Sequence, residues 1–352
     1  MIVRRPGLLT RNARLAFWLA FAAVLGLTTS ASNAADKAEA NANQAAAPEQ
    51  IAELRELQSG DQRVADIAWR LLSRAGDLCP AQGAVSGISL HSLNQYTPAA
   101  RDGARAAFGF YPSYPSILSI ARTSPAQQAG LLPDDAVIAV NGEDLSAASA
   151  DSTSARYDQV DTAMRALEAL PAGTTAKIAI RRQGIPLVVE LVPAKACKSR
   201  VELVPGPTVN GNANGAVAQI SGGLAIWTRN DDELALVIAH EIAHNILGHQ
   251  AEIKRTGITT GLFAGLGRSG KRLREMELDA DRLGTWLAAR AGFDYRIAPT
   301  FWERLGKQAG LAAALATTHP TPATRRQRLE AVVSEIAKEQ AGTGGSKTGP
   351  NQ

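Results

Sequence analysis

Residues 231–248 read Asp-Asp-Glu-Leu-Ala-Leu-Val-Ile-Ala-His-Glu-Ile-Ala-His-Asn-Ile-Leu-Gly, and this stretch decides how the 352-residue chain is understood. It contains no proline, and its apolar residues recur at helical spacing. Asn230 followed by Glu233 predicts an N-cap with a capping box, and Gly248 marks the stop. Positions four apart on a helix differ by about 40° in direction, so His240 and His244 can reach one ion. Glu241, about 100° round from His240, suits a base beside that ion rather than a ligand on it. Of the chain's five histidines, His240, His244 and His249 fall within ten residues. The HExxH spacing predicts a zinc site with one position left to water, as hydrolytic sites require. Burying two histidines and a glutamate in an apolar helix without an ion, the competing reading, would be costly.

Two imidazoles need a further protein ligand. In metzincins this is a histidine six residues after the second motif histidine, with glycine at the third. Gln250 and Leu247 hold those positions here, which excludes that class. The run Arg274-Glu-Met-Glu-Leu-Asp-Ala-Asp-Arg-Leu-Gly284 offers carboxylates instead. Glu277 and Asp281 are four apart and share a helix face, one able to ligate while the other braces a histidine. Glu275 and Asp279 are rivals that point elsewhere on the same helix. His249 reads as a packing or surface residue at the helix end, and His91 has no partner in sequence.

The remainder of the chain divides by composition. Arg4, Arg5, Arg11 and Arg14 precede the apolar run Leu15–Leu27, and Ser32-Asn33-Ala34 offers a small-residue cleavage site. Residues 1–34 are therefore expected to be an export signal, or a membrane anchor if uncleaved, and the chain is expected in the periplasm. Four of the 37 basic residues lie in that segment and no acidic ones do, leaving 33 against 33. Nucleic acid as a partner loses its main support, while peripheral membrane contact and oligomeric state are left open. In an exported chain the two cysteines, Cys79 and Cys197, invite a disulfide. Residues 35–48 read as a flexible leader, 49–103 as an N-terminal helical segment, 196–338 as the metal-binding domain and 339–352 as a disordered tail. Residues 251–271, with five glycines, read equally as a mobile lid or an ordinary connection.

Residues 104–195 behave as a separate unit of short β segments, a helix near 157–170 and a hairpin split by Gly184. Through Ser124-Pro-Ala-Gln-Gln-Ala-Gly-Leu131 and Asp135-Ala-Val-Ile-Ala-Val-Asn-Gly142 this unit resembles a PDZ domain. The resemblance implies that Phe108-Gly109-Phe110 presents backbone N–H groups to a peptide carboxylate and that the peptide adds a strand to the sheet.

The helix motif, the ExxADRLG run and Thr318-His319-Pro320 with Arg325 together resemble the HtpX-like, CAAX-prenyl-protease-like gluzincin metallopeptidases. More narrowly, the order of motifs is similar to an exported bacterial branch with a PDZ domain before the peptidase. The resemblance implies one Zn²⁺ held by His240, His244 and Glu277, with Glu241 as catalytic acid and base and Asp281 in support. It also implies His319 and Arg325 near the metal, as oxyanion donors or, for His319, as a resting-state fourth ligand. Two departures stand out: no membrane-spanning helices flank the peptidase motifs, and the family's Pro-Gly-Gly appears as Ser221-Gly222-Gly223. The expected fold is α+β, a mainly helical zincin-type metallopeptidase domain with a small edge sheet, preceded by a PDZ domain. The expected substrates are proteins or peptides, in envelope quality control, aligned as an added strand along residues 216–221. The alternative is a non-catalytic, PDZ-centred holding factor with a structural zinc.

Overall fold

The computed structural model describes residues 48–147, 154–258, 267–315 and 320–344. The expected signal, nearly all of the leader, His319 and part of the 251–271 segment lie outside the described residues. In chain order the elements are α1 (Pro48–Arg74), β1 (Gln82–Val85), β2 (Ile88–His91), α2 (Arg101–Phe108), β3 (Ser116–Ile120) and α3 (Pro125–Gln128). Next come β4 (Ala136–Val140), β5 (Glu143–Asp144), α4 (Asp158–Glu168), β6 (Ala176–Arg182), β7 (Ile185–Leu191), β8 (Ala194–Cys197), β9 (Arg200–Val204), β10 (Gly211–Ala213) and β11 (Val217–Ser221). The chain then turns helical, with α5 (Gly222–Trp227), α6 (Asp231–Ile246), α7 (His249–Thr256), α8 (Gly267–Arg290), α9 (Ala298–Leu315) and α10 (Pro322–Gly344).

Strands β2, β3, β4, β6 and β7 pair antiparallel in that order, with β5 appended to β4. Alternation along β6 buries Ala176, Ile178 and Ile180, and α4 covers them with Val160, Ala163 and Leu167. Gln183 and Gly184 both take positive φ, the geometry that matches a tight turn to strand twist. One strand corrects the expected boundaries. Residues 88–91, assigned by sequence to the end of the helical segment, are the edge strand β2 of this sheet. Four residues interrupted by a register shift at Ser89/Leu90 are too few to display an alternating pattern.

Helix α1 is the spine between this sheet and the half that carries His240 and His244. Val64, Ile67, Ala68, Leu71 and Leu72 are buried in the same core as α6 and α8. Its polar residues serve both sides. Gln62 donates to the Ile120 carbonyl and Asp66 accepts from the Arg122 backbone, whereas Arg63 reaches Asp231 and Arg70 the Ala291 carbonyl. Cys79 and Cys197 form a disulfide with Cα atoms 5.6 Å apart, beside the antiparallel pair β1–β8.

In the half that carries those histidines, β11 lies between β10 and β9, antiparallel to the first and parallel to the second. Both edges of β11 are therefore occupied, which overturns residues 216–221 as the place where a substrate strand would add. The edges of this sheet are β9 and β10, and β10 is the one beside Glu241. Helix α6 is buried on every side from Glu233 to Ala243, as a helix at the centre of a helical domain must be. The tail also differs from expectation. Helix α10 runs through residues 339–344, where Arg290 pairs with Glu339 and Tyr295 donates to Gln340. Among the described residues no helix is long and apolar enough to cross a membrane.

Candidate active site

Helix α6 starts as its sequence dictates: the Asn230 side chain accepts from the Glu233 N–H at 2.9 Å. The Glu233 carboxylate turns back to the Arg229 N–H and also pairs with Arg304, so the cap is tied to α9. At the far end Gly248 is left-handed (φ 68°) and breaks the helix.

Helix α8 crosses α6 at very short range because of Gly284. A Cβ there would lie 2.9 Å from His240 N and 3.0 Å from its Cα. That approach brings Glu277 under both imidazoles. His240 Nε2 and His244 Nε2 are 3.1 Å apart, and each is 3.5 Å from a Glu277 oxygen. Tetrahedral zinc with ligands near 2.0–2.1 Å needs neighbouring ligand atoms about 3.3 Å apart, so this triangle fits the ion. Among the described residues these three form the one such group of potential ligands. Glu275 and Asp279 instead neighbour Arg272 on the helix's other side.

Asp281, almost wholly buried, lies 3.0 Å from His240 Nδ1 and receives Arg325 through Nε (2.6 Å) and Nη2 (2.5 Å). Burial would raise the Asp281 carboxyl, but Arg325 and His240 hold its pKa below the usual value. Burial likewise disfavours a charged His240, yet the Asp281 and Glu277 carboxylates outweigh it and raise that pKa to about 10. Burial, followed by the charge on His240, pushes His244 down to about 3. A cation held by both rings would displace the proton that the two carboxylates favour on His240.

Glu241 is buried beside β10. A Cβ on Gly211 would sit 2.6 Å from Glu241 Oε1, so glycine makes room for the carboxylate at the edge strand. Sequence reading passed over Gly211, since Asn210-Gly-Asn-Ala-Asn-Gly215 looks like a turn. It also passed over Trp302, whose ring lies between His240 (centroids 4.9 Å apart, planes tilted 52°) and the Arg325 guanidinium (3.6 Å). Ser221-Gly222-Gly223 has its own reason: a Cβ on Gly223 would fall 2.2 Å from the Pro207 carbonyl oxygen.

Several expected site residues stand elsewhere. Phe108 ends α2 inside an aromatic cluster with His91, Tyr96 and Phe110, and Gly109 is the left-handed cap, its N–H donated to the Arg105 carbonyl. That segment closes a helix and fills a core, so the expectation that it cradles a peptide carboxylate is corrected. Arg325 is engaged by Asp281 and Trp302, so its geometry is that of a brace behind His240. His319 lies outside the described residues. His249 is buried rather than on the surface, with its Nδ1 2.9 Å from His244 Nδ1.

A separate cleft of about 460 Å³ runs between β2, α4 and β9. Ile88 and Leu90 line one side, Val160, Met164 and Leu167 another, and Gly215 and Asn245 close the end towards α6. Arg200 of β9 pairs with Asp161 (2.7 Å) and Glu168, clamping α4 to the half that carries His240 and His244.

Residues 192–262 and 252–333 match the model of Peptidase family M48. The mitochondrial metalloendopeptidase OMA1 of Schizosaccharomyces pombe is 29% identical over 155 residues, 38% of this chain and 46% of that protein. OMA1 of Arabidopsis thaliana is 35% identical over 128 residues, 30% of this chain and 26% of the relative. A putative beta-barrel assembly-enhancing protease of Vibrio cholerae is 28% identical over 142 residues, 32% of this chain and 29% of the relative. The chain thus spans less than half the length of these curated relatives. The family match contains His240, His244, Glu277 and Glu241, so the segment that carries the triangle is the one similar to that peptidase family.

Proposed function

We propose that this chain is a zinc-dependent endopeptidase of the periplasm, acting on misfolded or unassembled proteins. The observation that carries the reading is the Nε2, Nε2 and carboxylate triangle with Glu241 beside it at a sheet edge. His240, His244 and Glu277 would hold the zinc, which supplies Lewis acidity to water and to a scissile carbonyl. Glu241 takes the proton of the attacking water and returns it to the leaving amine. The β10 edge offers main-chain groups to an extended substrate, so affinity comes from backbone pairing more than from side-chain pockets. His319 stands as candidate oxyanion donor or resting-state brake, while Asp281, Arg325 and Trp302 keep His240 aimed.

The PDZ-like reading moves to the cleft between β2 and α4. There β2, the edge strand among the described residues, faces an apolar helix, the arrangement that takes up a peptide as an added strand. The basic start, the disulfide and the likeness to a beta-barrel assembly-enhancing protease support a periplasmic location. A holding factor with structural zinc would call for a closed, usually cysteine-rich site, and both cysteines are joined to each other elsewhere. The test is zinc content and casein cleavage of the purified chain, with and without chelator, beside Glu241→Gln. Stoichiometric zinc in both proteins and cleavage by the wild type alone are expected. Equal cleavage by Glu241→Gln, or a chain that binds no zinc, would end the reading.

A further inference from the structure

We propose that His249 is a positioning residue for the second metal-binding imidazole: it accepts the His244 Nδ1–H and thereby fixes that ring's tautomer and direction. The inference rests on the reading above, in which His244 binds the metal through Nε2.

With a metal on His244 Nε2, the geometry leaves one assignment of protons. His244 Nε2 faces His240 Nε2 and Glu277, and as a metal ligand it must offer its lone pair, which leaves the hydrogen on Nδ1. His244 Nδ1 lies 2.9 Å from His249 Nδ1, so His249 Nδ1 is the acceptor and its own hydrogen sits on Nε2. A ligating histidine whose other nitrogen is held in this way is fixed in both tautomer and ring orientation.

The backbone is built to deliver the contact. On a continuous helix, a residue five positions on would lie about 140° round from His244, facing away. Gly248, with φ 68°, ends α6 and restarts the chain as α7, which turns His249 back onto His244. Arg272 then holds Glu252 of α7 through Nε (2.7 Å) and Nη2 (3.0 Å), fastening α7 to the helix that carries Glu277. The two ligating rings are thus braced differently, His240 by a carboxylate and His244 by a neutral imidazole.

The test compares wild type, His249→Leu and His249→Asn. Asparagine can place its amide oxygen where Nδ1 stands, whereas leucine fills the space without an acceptor. Zinc affinity is measured by chelator competition, and the visible spectrum of the Co²⁺-loaded protein reports ligand geometry. His249→Leu is expected to bind zinc about 10–100-fold more weakly and to shift the cobalt bands, and His249→Asn to recover most of both. Wild-type affinity and spectrum in His249→Leu, or an asparagine variant as weak as leucine, would overturn the proposal. Nitrogen-15 histidine NMR of the zinc-loaded wild type needs no variant: a proton on His249 Nδ1 would overturn it equally. Failure of the wild type itself to take up zinc would instead sink the peptidase reading.

Discussion

Replacing Gly284 with alanine tests whether helix proximity sets the metal triangle. The added Cβ would meet His240 N at 2.9 Å, His240 Cα at 3.0 Å and Ala239 C at 3.1 Å, all backbone atoms that no rotamer change can remove. Carbon atoms rest about 3.5–4.0 Å apart, so α8 must withdraw from α6 by about 0.5–1 Å. Overpacking of this kind costs about 1–3 kcal/mol, of which the better helix propensity of alanine returns up to about 1 kcal/mol. Stability therefore falls only modestly. The metal site suffers more, because the 3.5 Å separations from Glu277 to both rings already sit at the long side of a tetrahedral edge. Zinc affinity by chelator competition should drop by about 10–100-fold, as when a ligand's support is lost. Gly306→Ala is the matched control: the same change in α9, where the nearest atom outside the helix, Pro322 Cγ, is at an ordinary 3.6 Å. It should leave affinity unchanged and the midpoint of thermal unfolding level or slightly raised. A Gly284→Ala protein that binds zinc like wild type would refute the claim that this glycine sets the triangle.

Gly211→Ala should push the Glu241 carboxylate aside, lowering kcat at least tenfold while zinc content and thermal midpoint hold; unchanged kcat would separate β10 from the chemistry. Arg325→Met should leave Asp281 buried without its cation and cost about 3–5 kcal/mol, read as a lower midpoint in chemical unfolding; a change under 1 kcal/mol would contradict the brace. Cys79→Ser with Cys197→Ser should remove up to about 4.7 kcal/mol by the chain-entropy model, and a reductant should no longer shift the melting curve. Chelation of the zinc-loaded chain should lower the melting temperature, by an amount equivalent to about 2.7 kcal/mol when free zinc had stood at a hundred times Kd. No shift would mean that the ion does not favour the folded state.

What the sequence made legible follows from how local each signal is. The α6 helix, its Asn230 cap and its Gly248 stop are written within nineteen consecutive residues, and they match the structure. Glu277 and Asp281 are one of two i, i+4 carboxylate pairs on α8, chosen over Glu275 and Asp279 by the family resemblance, while the β6–β7 hairpin follows from alternation around Gly184. Sheet order was not local. β2 is four residues with a register shift, and β11 reads as an edge although β9 and β10 flank it. Trp302 lies 62 residues from His240 in sequence, and nothing near it announces that it packs there. His249, read as a packing or surface residue, is a buried packing residue, but its contact with His244 depends on the left-handed Gly248, since a continued helix would point it away. Phe108-Gly109-Phe110 carried the pattern of a ligand loop but is a helix end, because a left-handed glycine flanked by aromatics serves a C-cap equally well.

The unequal bracing of the two imidazoles follows from charge. Glu277 and Glu241 together supply two negative charges, which is what a divalent ion can balance. Asp281 adds a third in a nearly fully buried position, and it is tolerable there because Arg325 neutralises it through two hydrogen bonds. A carboxylate behind His244 would need a second such cation. The guanidinium whose charge bears on His249 is Arg272, and both of its short contacts go to Glu252. A neutral acceptor is the group that orients His244 without adding an uncompensated buried charge, and an imidazole supplies one at 2.9 Å. The same reasoning predicts that His249→Asp folds poorly unless Glu252→Gln frees Arg272 to pair with it. Recovery of zinc affinity in that double variant, beyond the sum of the single effects, would measure the coupling directly. If the double variant is no better than His249→Asp alone, electrostatic balance is not what selects histidine at this position.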